Sequence, residues 1–76
     1  MTMNDRLTIV IEPSEEGGFT AFIPEVPGAI SEGDTIEEAR QMVLDALHEL
    51  LAYRREVAVQ AASQQAVVES LPLLAA

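Results

Sequence analysis

Turn-forming residues are confined to one half of this chain. All four glycines and three of the four prolines fall within residues 13–33, and residues 34–71 contain neither. The first half must therefore be short extended segments joined by tight turns, because proline removes a backbone donor and glycine supplies positive φ. The second half is free to run as one long helix.

Residues 7–11, LTIVI, hold β-branched Thr8, Ile9, Val10 and Ile11 and predict a strand that Pro13 ends. PSEEGG then turns the chain, and residues 19–23 predict the second strand of a hairpin. Pro24 and Pro27 bracket a connection, Gly28 turns it, and residues 29–32 predict a short third strand closed by Gly33. Thr35 followed by Glu38 reads as a capping box, with Asp34, Glu37 and Glu38 placed where a helix dipole favours negative charge. The helix is predicted from Ile36 to near Arg55 or beyond, with Ile36, Ala39, Val43, Ala46 and Leu50 on one stripe, widened by Leu47 and Leu51. VVESL, residues 67–71, reads as a fourth strand stopped by Pro72 or as a frayed helical tail, the strand being preferred.

The expected fold is α+β, in the order β-β-β-α-β: a small antiparallel sheet with one long amphipathic helix on one face, in a single domain over residues 1–76. Val10 and Phe22 oppose the other large apolar residues of their strands in parity, which predicts a bare apolar face on the sheet. A chain of 76 residues with no cysteine has a small core and no disulfide to support it. Association is the remaining source of stability, so a homodimer or higher homo-oligomer is expected, with Val10 and Phe22 at its interface.

Thirteen acids stand against four arginines, for a net charge of −9, and there is no lysine. Glu12, Glu15, Glu16, Glu25, Glu32, Asp34, Glu37 and Glu38 lie between Arg6 and Arg40 with no base among them. Such a surface repels phosphate backbones, which argues against direct nucleic-acid binding, and it attracts basic proteins. On composition alone, simple solubilisation is the preferred reading. No basic leader precedes a long apolar run, and no segment reaches the length of a membrane span, so a cytoplasmic protein is expected.

Catalytic constellations find little support. His48 is the one histidine and reads as a solvated helix residue; with no thiolate beside it, no metal site or cofactor is expected. Ser14, Ser31, Ser63 and Ser70 lack a nucleophile motif, and Glu15–Glu16 and Glu37–Glu38 are too close in sequence to face each other across a cleft. GAISEGDT has no lysine after its glycines and is not a phosphate-binding loop. Tyr53, Arg54 and Arg55 form a basic spot that reads as helix termination, or else as a contact for an acidic neighbour.

The run GGFTAFIPEVPGAISEGDTIEEA, residues 17–39, resembles the signature of the HicB antitoxin family. Pro24, Pro27, Gly28, Gly33, Asp34, Thr35, Glu38 and Ala39 match its corner and helix start in order and spacing. The resemblance covers roughly residues 6–52, within the ±2–4 residues to which element ends are read. It implies a partial ribonuclease-H-like domain without a catalytic centre. It also implies a partner: a small basic toxin of the HicA type, with a double-stranded-RNA-binding-domain-like fold, which cleaves mRNA and is blocked by the antitoxin. Members often carry a C-terminal DNA-binding domain; none is expected in residues 57–76. Charge and expected exposure nominate Glu15, Glu16, Glu25, Glu32 and Glu37 for contact with the partner, while Pro24, Pro27, Gly28, Gly33, Asp34, Thr35 and Glu38 are expected to be structural.

Overall fold

The computed structural model describes residues 6–71. Three strands, β1 (Val10–Pro13), β2 (Phe19–Phe22) and β3 (Ile30–Gly33), precede one helix, α1 (Ile36–Ala61). The strands form an antiparallel meander in the order β1-β2-β3. The α+β class and the β-β-β-α order thus stand as read from the sequence.

The first strand begins later than its composition predicts. Beyond Phe22, Ile23 donates its N–H to the Ala29 carbonyl and accepts from the Val26 N–H, and Pro24 has no N–H, so β2 offers β1 no ladder partner upstream of Val10. A side chain takes over there. Thr8 donates its backbone N–H to Glu25 Oε1 at 2.9 Å and its hydroxyl to Oε2 at 2.6 Å. Pro13 is retained as the last residue of β1 because β1 is an edge strand.

The fourth strand is absent. Residues 67–71 form no strand and are exposed, with Val67 81% and Leu71 84% accessible. Pro72, expected to end that strand, lies outside the described residues. The helix takes the residues that precede it: alanine- and glutamine-rich sequence carries α1 as far as Ala61.

The core lies between the helix and one face of the sheet. It consists of Ala21, Ile23, Ala29, Ala39, Val43 and Leu47, with Ile9, Ile11, Phe19, Val26 and Leu50 packed at its margin. Three of the six are alanines, which lets the helix lie close to the strands. Ile36 and Leu51, expected on the buried stripe, are 46% and 38% exposed. Ile36 is the first helical residue and stands beyond the sheet, and Leu51 turns away from it while Leu50 packs against the core.

Candidate protein interface

The strand register sorts the acidic residues. β1 ends, β2 begins, β3 ends and α1 begins at the same end of the sheet. A Cβ placed on Gly18 would come within 2.7 Å of the Gly33 carbonyl oxygen and 3.6 Å of Asp34 Cα, so the β1–β2 turn abuts the approach to the helix. Glu15, Glu16, Asp34 and Glu37 therefore gather at one pole and are all exposed. Glu12 and Glu32 lie just behind them, both aligned with Thr20 on the sheet face away from the helix. Between Phe19 and the helix start is an open depression of about 450 Å³, lined by Phe19, Asp34, Thr35, Ile36 and Glu37. It combines an exposed isoleucine with an acidic rim.

The local structure of this pole follows from its sequence. Thr35 is the N-cap, its hydroxyl oxygen accepting from the Glu38 N–H at 3.0 Å. Glu38 reaches back to the Asp34 N–H at 2.9 Å, one residue earlier than in the usual reciprocal box. Glu38 is thereby committed to the corner, whereas Asp34 and Glu37 present their carboxylates to solvent.

Glu25 is not part of this cluster. It sits in the β2–β3 corner at the opposite end of the strands, bonded to Thr8. Those two hydrogen bonds, led by the one from the Thr8 hydroxyl, hold its carboxyl below the usual glutamate range. Of the five residues nominated for partner contact, the fold thus brings Glu15, Glu16, Glu32 and Glu37 to one end and assigns Glu25 a bond within the chain. Asp34, read from the sequence as structural, and Glu12, not nominated for contact, stand at the same end. The strand register places Glu12, and the close approach of Gly18 to Gly33 and Asp34 places Asp34.

The sheet face away from the helix carries a row from all three strands. Val10 pairs with Phe22, and Phe22 with Ile30, so their side chains share that face. Val10 and Phe22 are half-buried and Ile30 is 59% exposed. Sequence parity found the first two; the third needed the register of β3.

The basic spot is not a helix terminus. Arg54 Nη2 donates to the Pro27 carbonyl at 2.7 Å, tying the helix to the corner, and α1 continues to Ala61 with no basic residue in its last turn. His48 is exposed on the helix. Among the described residues no three acidic or histidine side chains converge as metal ligands would, and no helix is long and apolar enough to cross a membrane.

Residues 7–72 match the family model described as the HicB_like antitoxin of bacterial toxin-antitoxin systems. This chain belongs to the HicB-like antitoxin family. A UPF0150 protein of Synechocystis sp., ssl0738, is 36% identical over 69 residues, which cover 91% of this chain and 96% of that protein. Antitoxin HicB 1 of Photorhabdus laumondii subsp. laumondii is 50% identical over 44 residues, 58% of this chain but 28% of that antitoxin. A second Synechocystis UPF0150 protein, ssr1765, is 42% identical over 40 residues, 51% of its length. No solved structure matches the chain. The HicB-like match takes in the whole sheet and helix, and with them the acidic pole.

Proposed function

We propose that this HicB-like chain binds a small basic toxin ribonuclease of the HicA type in the cytoplasm and blocks its access to mRNA. It contributes shape and charge, and no chemistry or cofactor of its own. The observation that carries this reading is the gathering of Glu15, Glu16, Asp34 and Glu37 around the depression where Ile36 is exposed. An apolar contact rimmed by carboxylates suits the arginine and lysine side chains of an RNA-binding surface, whose stems are apolar and whose heads are cationic. The same carboxylates repel RNA, so the antitoxin is not itself drawn to the toxin's substrate.

Charge reversal tests it. Glu16→Lys combined with Glu37→Lys leaves every hydrogen bond named above in place. The pair should slow association with the toxin by roughly tenfold at low salt and flatten its salt dependence, as expected for lost electrostatic steering. An unchanged association rate, measured by stopped flow, removes this pole from the interface.

A second reading is a stand-alone HicB-like oligomer that binds another protein or a small ligand. One observation favours it: this chain covers nearly all of the UPF0150 relative but little more than a quarter of the named HicB antitoxin.

A further inference from the structure

The chain carries both an open strand edge and an unpaired strand-forming segment. The edge is that of β1. Thr8 turns its N–H inward, to Glu25, so by alternation along the strand Ile9 and Ile11 turn theirs outward, away from β2. Pro13, which has no N–H, falls in the same outward set, as edge prolines do. The helix-facing side of β1 is also short of cover. α1 packs chiefly on β3 and β2 and scarcely on β1, and Ile9 and Ile11 are only half-buried. The opposite edge differs: toward the helix, β3 presents Ser31 and Gly33 and no apolar side chain.

The segment is VVESL, residues 67–71. Val67, Val68 and Leu71 are 81%, 62% and 84% exposed. Among the described residues, none of the segment's backbone groups has a partner. Its β-branched valines favour pairing in a sheet, and an open edge is a template for that pairing.

The edge of its own chain is out of reach. Arg54, bonded to the Pro27 carbonyl, marks the last tie of the helix to the body, and residues 53–61 are exposed throughout. From Arg54 to Ala61 this overhang carries the chain about 10 Å past the corner. The open side of β1 then lies back along the overhang, one layer below the helix, and about two strand spacings, or 10 Å, to the side. Ala66 donates to the Ser63 carbonyl at 3.0 Å, a turn that holds Ser63 and Ala66 within about 7 Å. With that turn closed, residues 62–66 do not cover all three offsets.

We propose that residues 67–71 of one copy pair as a strand on the open β1 edge of a second copy, the exchange being reciprocal across a two-fold axis. Parity sets how the segment lies. Val67, Glu69 and Leu71 share one side. Laid toward the helix layer, that side sets Val67 and Leu71 beside Ile9 and Ile11 and keeps Glu69 off the face that carries Glu12. Backbone pairing supplies the attraction, which suits two chains of the same net charge, −9. The pairing does not rest on the toxin reading, and Glu16 and Glu37, which test that reading, belong to neither strand.

The chain has no cysteine, so introduced cysteines report contacts cleanly. Glu12→Cys and Val68→Cys alter exposed positions that would lie on the same outer face. Mixing the two variants with a short thiol-reactive crosslinker should yield the mixed 12–68 dimer, with little linkage in either variant alone. Sedimentation equilibrium should show a wild-type dimer. Val67→Pro combined with Val68→Pro removes a donor whichever way the segment faces, and should raise the dissociation constant about tenfold or more, with helical circular dichroism unchanged. A wild-type chain that stays monomeric at all concentrations overturns the proposal, and so does a dimer that the two prolines leave intact. Linkage 12–12, meaning β1 on β1, also overturns it. So does an internally linked monomer when both cysteines are placed in one dilute chain, meaning that the segment returns to its own sheet.

Discussion

Glu25 and Thr8 show a surface acid held by a specific geometry rather than left free in solvent. Two hydrogen bonds favour the ionised carboxylate, so its pKa is depressed in the folded chain. The stabilisation from this clasp is therefore fully present above the usual glutamate range and is lost as pH falls through the depressed folded-state value. Carboxyl titration followed by nuclear magnetic resonance should give Glu25 a midpoint below the usual glutamate range. Thr8→Val removes the leading hydrogen bond while keeping the backbone one, and should move Glu25 part of the way back up. A Glu25 midpoint that Thr8→Val leaves unmoved would mean the clasp does not form. The clasp also explains why reversing Glu25 is a poor probe of partner binding: it would disturb the chain's own N-terminal segment.

Among the elements, the junction of β3 with α1 sets how closely the two layers pack. A Cβ on Gly33 would come within 2.5 Å of the Ala39 backbone nitrogen and 2.9 Å of its Cα. Neither is the end of a flexible side chain, so the helix itself would have to move. Gly33→Ala should cost about 2–3 kcal/mol, in the range of overpacked cores, read as a lower urea midpoint; an unchanged midpoint would contradict the close approach. This junction was legible in the sequence, because Gly33, Thr35 and Glu38 act locally and their spacing states what they do. The helix start and the corner before it were legible for the same reason. The limits of β1 and the lost fourth strand were not. Each depends on which residues find partners across the fold: Thr8 pairs with a side chain, and VVESL stays unpaired while alanine-rich sequence extends the helix. The candidate site was half legible. Charge counting nominated acids from both ends of the sheet, and only the register separates Glu25 from the pole formed by Glu15, Glu16 and Glu37.

At the scale of the whole molecule, two surfaces are set apart. One is the acidic pole at the helix start; the other is the outer sheet face together with the helix overhang. Membership of the HicB-like antitoxin family implies a toxin partner in general, and our proposal seats it at the first surface, where the fold leaves the carboxylates accessible. The second carries Val10, Phe22 and Ile30 on a chain whose core of six described residues is half alanine. Neutralisation of a small basic ribonuclease by this chain is read out most plainly by co-expression. The basic protein encoded beside this chain would be induced with and without it, while growth and mRNA integrity are followed and the complex is purified. Growth arrest and mRNA cleavage are expected from the neighbour alone, and full rescue with a stable complex when both are present. Arrest that this chain fails to relieve, or the absence of any toxic neighbour, would contradict it.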